Sequence, residues 1–333
     1  MVFRSLAVLS LIAALLGPAA AQERVTVGTQ RSVTSGALFL AAINGYFKDE
    51  GLDLEMTAYP SAANVVEALA GGATDFGVAE FTGRAFNLAG KGAIKAIAAQ
   101  VREKHDFDGN EIVASNTGYA KGIRKPEDIA GKSFAVADMG TVSHFQLGQI
   151  ARVKHFDLNS VTLKPMQNYE GVARALVNGD VDAAILPAQF ARELLTASQG
   201  KLVGWVSEID EPQMGALFAS AVTLTTRRAT VEKFLRAYRR GAADYAGALM
   251  RLDKYSKRVD DAKAQAAAAS IARYVYPGKT DAATLVHTAA YYMDPQARLD
   301  TADLARQIEW YKAQGLIDSS VAARDVVDSN FIK

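Results

Sequence analysis

The segment Asn64–Ala79, NVVEALAGGATDFGVA, returns without a gap at Gly171–Leu186, GVARALVNGDVDAAIL, 107 positions later. Both copies place A-L-x-x-G-x-x-D directly ahead of an apolar run. A glycine closing a helix, followed by a carboxylate in the turn into a buried strand, is the chemistry of an αβ connection. The same offset carries Gly36 to Ser143, and each opens a helical stretch. A chain that repeats an αβ unit at this spacing is expected to build one lobe twice.

The hydrophobic pattern around the repeat agrees. Strands predicted at 24–28, 52–59, 75–79 and 93–100 alternate with helices at 36–49, 61–71 and 81–91. After Gly131 the order recurs, with strands at 133–137, 161–165, 183–186 and 202–207 and helices at 141–154, 170–178 and 189–198. Alternation of this kind predicts α/β lobes with mostly parallel sheets, because parallel neighbours need crossover connections. Between the copies Glu111–Ser115 is extended and apolar, and 217–225 is extended after the second, leading into a helix at 230–250. Two such links predict two crossings between lobes, and therefore a hinge. Helices predicted at 262–275, 281–290 and 301–314, the last stopped by Gly315, are expected to pack on the first lobe. The expected division is a leader at 1–21, a discontinuous first lobe at 22–112 plus 224–333, and a second lobe at 113–223.

The leader carries Arg4, an apolar stretch from Leu6 to Leu16, a Gly17-Pro18 break and Ala19-Ala20-Ala21. That order predicts a secretory signal with an A-x-A cleavage site, and the apolar run falls short of the roughly 20 residues a membrane span needs. The expectation is a soluble monomer exported to a periplasm, without stable membrane insertion. The chain has no cysteine, which excludes disulfides, thiolate metal sites, a cysteine nucleophile and a cysteine-linked lipid. Its 37 Lys and Arg face 36 Asp and Glu, and loss of Arg4 brings them level, which argues against nucleic acid as a partner. The four histidines, His105, His144, His155 and His287, have no metal-motif spacing, and no H-E-x-x-H, G-x-S-x-G or Walker A pattern occurs. No cofactor, metal or catalytic group is predicted.

In open α/β sheets ligands bind beyond the carboxyl ends of the strands, where helix N-termini also point free N–H groups. Two facing lobes put both sets of strand ends along one cleft. The candidate ligand-binding residues are Gln30, Arg31, Ser32, Thr34, Ser61, Glu80, Phe81 and Thr82 on the first lobe. On the second they are Thr141, Ser143, His144, Asn168, Tyr169, Gln189 and Phe190. Hydroxyls and amides with an aromatic ring on each side suit a small ligand with a polar or anionic end and a flat body. Arg31 is the candidate for a bidentate carboxylate or sulfonate contact, facing the Thr141–His144 turn. Phe81, Tyr169 and Phe190 are candidate ring partners.

The chain resembles the nitrate/sulfonate/taurine type of periplasmic binding protein, the NMT1/THI5-like family. The likeness lies in Gly45-Tyr46-Phe47-x-x-Glu50-Gly51-Leu52, in Ala68-Leu69-x-x-Gly72-x-x-Asp75-Phe76-Gly77, in Lys125-Pro126-Glu127-Asp128-Ile129-x-Gly131-Lys132 and in Gln314-Gly315-Leu316-Ile317. It implies a type II periplasmic-binding-protein fold, closure on a small molecule, and delivery to an ABC permease with a cytoplasmic ATPase. A small organic anion, an aromatic or small carboxylate or a sulfonate, is the expected ligand. A neutral thiamine-precursor pyrimidine, riboflavin, or a sensor role are the alternatives. Val142 and His144 are bulkier than the Gly-Ser/Thr-rich turn of relatives, so the resemblance assigns no sulfonate by itself. The family's pyrimidine synthases are cysteine-rich, unlike this chain.

Overall fold

The computed structural model describes residues 21–107 and 109–332; the leader expected at 1–21 lies outside the described residues except for Ala21. Among the described residues ten strands form two five-stranded sheets. They are β1 (Glu23–Thr29), β2 (Leu52–Ala58), β3 (Phe76–Glu80), β4 (Ile94–Ala99) and β5 (Glu111–Ser115), followed by β6 (Ser133–Val136), β7 (Thr162–Pro165), β8 (Ala183–Leu186), β9 (Gly200–Trp205) and β10 (Gly215–Ser220). The strand orders are β2-β1-β3-β10-β4 and β7-β6-β8-β5-β9. Each sheet is parallel except for one central strand, β10 in the first and β5 in the second, which runs antiparallel to both neighbours.

The duplication holds down to the hydrogen bond. Asp75 accepts from the Thr26 backbone N–H (3.0 Å) and hydroxyl (3.2 Å), and the Thr26 hydroxyl accepts from the Asp75 N–H (3.0 Å). Asp182 does the same with Ser133, at 2.9, 2.7 and 3.0 Å. Each aspartate thus ties the start of its own strand to the parallel neighbour, and each has a cation: Arg227 at 2.8 Å from Asp75, Lys121 at 2.8 Å from Asp182. Registers repeat as well, Thr26 opposite Glu55 and Ser133 opposite Thr162. The glycines of the motif, Gly72 and Gly179, sit at φ +78° and +76°, the left-handed region that favours glycine at a helix end.

The links expected between lobes are placed differently. Glu111–Ser115 and Gly215–Ser220 are buried along their whole length as central strands, and the chain turns into a short helix, Ala221–Thr226, directly after β10. Their apolar runs resemble connections in sequence because a strand buried on both faces lacks the alternation of a half-exposed one. The crossings lie ahead of them, at 100–110 and 206–214, and pair with each other. The Gln100, Glu103 and Met214 amides donate to Gly215, Pro212 and Val101, each at 3.0 Å.

Helices cover both faces of both sheets. On the first, Phe39, Phe76, Phe234 and Tyr238 fill one side, and Val65, Leu69, Phe86 and Phe218 the other. On the second, Phe134, Leu147, Ile150 and Ile185 oppose Val113, Val172, Leu176 and Leu186. The C-terminal helices follow expectation only in part. Ala262–Val275 packs in the first lobe with the helices Gly36–Ile43 and Arg228–Leu249. Thr301–Ala313 joins both lobes instead: Leu304, Ile308 and Tyr311 enter a first-lobe cluster, while Trp310 meets Phe145 and His144 of the helix Val142–Val153 edge-on. Gly148 allows this contact, since a Cβ there would lie 2.5 Å from the Trp310 ring. No described helix is long and apolar enough to cross a membrane.

Candidate functional site

The carboxyl ends of the strands meet around a cavity of about 420 Å³ lined from both lobes. Local sequence puts hydroxyls and amides there because helices begin directly after the strands, and N-cap positions favour Ser, Thr and Asn. Ser61 caps Ala62–Ala70 by accepting from Asn64 N–H (3.2 Å), Thr82 caps Gly83–Gly90 through Ala85 N–H (3.1 Å), and Asn168 caps Tyr169–Asn178 through Gly171 N–H (2.8 Å). Ser61 and Asn168 are equivalent positions of the repeat. Thr141 precedes Val142–Val153, but its hydroxyl donates to the Asp138 carbonyl (2.8 Å).

Eleven of the predicted residues line the cavity: Gln30, Arg31, Ser32, Ser61, Glu80, Thr82, Thr141, Asn168, Tyr169, Gln189 and Phe190. Four others do not. Thr34 is buried behind Ser32, donating to its hydroxyl (2.9 Å). Phe81 is 0% exposed, stacked on Phe86 and edge-on to Phe218: successive strand-end residues point opposite ways, so with Glu80 facing the cavity Phe81 faces the core. Ser143 is fully buried beside the Thr141 hydroxyl (3.2 Å). His144 is 3% exposed; its Nδ1 accepts from Gly140 N–H (3.1 Å) and burial lowers its pKa to about 4, so it braces the turn as a neutral ring. Tyr59, Arg84 and Glu170 are among the lining residues missed. Arg84 stands two residues past the Thr82 cap and could have been found from that spacing. Tyr59 and Glu170 flank the Ser61 and Asn168 caps.

Contacts across the cavity hold the lobes together. Gln189 Oε1 accepts from Val33 N–H (3.0 Å) and the Ser32 hydroxyl (3.3 Å). The Tyr169 hydroxyl donates to Glu80 Oε2 (3.2 Å), Gly83 N–H to the Gly140 carbonyl (2.8 Å), and the Tyr311 hydroxyl to the Thr141 carbonyl (3.1 Å). Charge is arranged by lobe. Arg31 and Arg84 are exposed at the first-lobe rim, Arg31 donating to the Tyr274 carbonyl (3.1 Å) and Arg84 pairing with Glu67 (2.5 Å). The exposed Asp138 and Glu170 stand on the second-lobe rim. Glu80 alone is a buried charged group in the lining, 5% exposed, and burial pushes its carboxyl up to about 7 against the pull of the Tyr169 hydroxyl. Among the described residues no group of acidic and imidazole side chains could hold a metal ion.

The family model described as NMT1/THI5 like matches residues 33–248. No curated protein sequence matches the chain. Among solved structures, the alkanesulfonate-binding protein of Xanthomonas axonopodis pv. citri, bound to MOPS, has a TM-score of 0.72 at 16% identity, covering 92% of this chain and 99% of that one. The periplasmic aliphatic sulphonate binding protein of Escherichia coli has 0.70 at 14%, covering 92% of each. A ligand binding component of an ABC-type import system from Staphylococcus aureus, with zinc bound, has 0.71 at 14%, covering 93% and 98%. At these identities the likeness is one of fold, two α/β lobes as in periplasmic binding proteins.

Proposed function

Because the chain belongs to the NMT1/THI5-like family, we propose that it is the periplasmic solute-binding component of an ABC importer, capturing a small organic anion and delivering it to a permease. The observation that carries this reading is a cavity roofed and floored by the strand ends of two duplicated lobes. A volume of about 420 Å³ falls in the range of small-molecule sites, roughly 300–1,000 Å³. The sulfonate-binding proteins of the same fold lend the reading further support.

Function here is closure without bond making. Ligand shifts the open–closed balance by its preference for the closed form, and the closed form is the one in which Gln189 meets Ser32 and Tyr169 meets Glu80. Arg31 and Arg84, beside the Ser61 and Thr82 helix starts, offer the anionic group a cationic rim. The buried, neutral His144 holds a turn, and the reading gives it no proton-transfer role.

A thermal-shift screen of aromatic carboxylates, small carboxylates and sulfonates on ligand-stripped protein tests the proposal. A bound anion at 100 times its Kd adds about 2.7 kcal/mol of stability, and the double variant Arg31→Ala, Arg84→Ala should lose most of that shift. If neutral pyrimidines or flavins alone raise the melting temperature, the anion reading is wrong.

A further inference from the structure

Glu80 ends β3 on the cavity wall, shut away from bulk water. One carboxyl oxygen, Oε2, accepts from Tyr169. The other makes no hydrogen bond within the described protein, and no Lys, Arg or His among the described residues forms an ion pair with Glu80. The two rim arginines are exposed and have partners of their own. A carboxyl withdrawn from water without a cation either keeps its proton or waits for a donor. Burial leaves this one near the midpoint at neutral pH, where a donor tips it to the ionised form.

The group belongs to one side of the cleft. The repeat places Pro187 at the position equivalent to Glu80, so the second lobe supplies no matching acid at that depth. Its contribution is the Tyr169 hydroxyl, which reaches Oε2 across the lobe boundary and leaves Oε1 of this cavity-lining residue without a hydrogen bond.

Resting on the solute-binding reading above, we infer that the ligand carries a nitrogen-bound proton and presents it to Glu80. Glu80 and Tyr169 then select an amine- or amidine-bearing molecule over its nitrogen-free counterpart. An anionic end toward Arg31 and a nitrogen toward Glu80 make the solute an ampholyte, which also suits a rim cationic on one lobe and acidic on the other.

Matched probes test this by calorimetry on the full mature chain: 4-(aminomethyl)benzoate against 4-methylbenzoate, 2-aminoethanesulfonate against ethanesulfonate, and 4-amino-2-methylpyrimidine against 2-methylpyrimidine. The expected result is at least tenfold tighter binding of the nitrogen-bearing member of a pair, with the discrimination abolished in Glu80→Gln. Affinity should also fall about tenfold per pH unit below about 7, because the proton on Glu80 must then be displaced. Of the groups coupled to Glu80, namely Tyr169, Tyr291, Tyr311 and Glu103, only Glu103 titrates near neutrality, and Glu80→Gln leaves it in place as a control. Equal binding within every pair, or discrimination that survives in Glu80→Gln, overturns the inference and leaves solute capture standing. Binding of the aminopyrimidine alone upholds the role of Glu80 and removes the anion. Silence from all six probes overturns both.

Discussion

Glu103 sits in the first crossing, 0% exposed, with Oε1 accepting from Asn110 N–H (2.9 Å) and the Gln146 amide (3.1 Å). Burial pushes its carboxyl up to about 8, more than those two donors pull it down. The folded protein therefore holds a proton that the unfolded chain releases above its ordinary value of 4.5. The sign follows: the stabilisation is full below about pH 4.5, shrinks as pH rises, and is gone once pH passes about 8. Glu80 behaves alike with an upper limit of about 7. Each group contributes a slope of about 1.4 kcal/mol per pH unit inside its window, so Glu103→Gln should flatten the fall of melting temperature between pH 5 and 8. An unchanged slope in that variant would show the carboxyl to be ionised. Neither carboxyl's titration was legible in the sequence, because burial of Glu80 and Glu103 depends on partners such as Tyr169 and Gln146, 89 and 43 residues away. Ser61, Thr82 and Asn168 were legible as strand-end residues, since a strand-to-helix turn is decided by its own neighbours within a few positions.

At the scale of elements, the two aspartates of the repeat predict where the sheets are most easily broken. Burial raises the Asp182 carboxyl, but Lys121 and the two Ser133 donors outweigh it and hold the group below the usual carboxylate range. Asp182→Ala strips the acceptor from the Ser133 amide and hydroxyl and from Lys121, and should cost about 2–3 kcal/mol by denaturant titration. Asp75→Ala frees Thr26 and Arg227 in the same way and should fall in the same range. If one is costly and the other neutral, the equivalence of the two halves is geometric only. The repeat was readable because its chemistry is local: helix end, glycine, turn and strand occupy one stretch of sequence. The placement of β5 and β10 was not, because an apolar five- or six-residue run looks the same as a connection or as a central strand until its neighbours are known. The single helix predicted at 36–49 is two in the structure, Gly36–Ile43 and Tyr46–Asp49. The chain breaks at Asn44-Gly45, where Gly45 takes φ +77° before Tyr46–Asp49 resumes the helix.

For the whole molecule, Arg306 matters most to how the lobes stand. From the helix Thr301–Ala313 its Nη1 donates to Asp210 (2.9 Å) in the second crossing and to Gln149 (3.0 Å) on a second-lobe helix, while Nε donates to Asp303 (3.0 Å). That helix is thereby fastened on the crossing side of the cavity. Arg306→Ala should loosen that side, giving a larger radius of gyration by small-angle scattering without ligand and an affinity loss of about fivefold, the equivalent of roughly 1 kcal/mol. Unchanged scattering and affinity would make the helix a passive cover. The exchange of strands has a consequence in time. All five strands of the second sheet lie between Glu111 and Trp205, whereas β4 of the first has only β10 beside it. As a chain emerging from a ribosome or a translocation channel, the protein meets its own fold out of order. The later-made half can finish first, while β3 and β4, synthesised long before, wait with open edges until residue 220 arrives. Those waiting edges are the stretch on which a holding chaperone, or a neighbouring copy, would act.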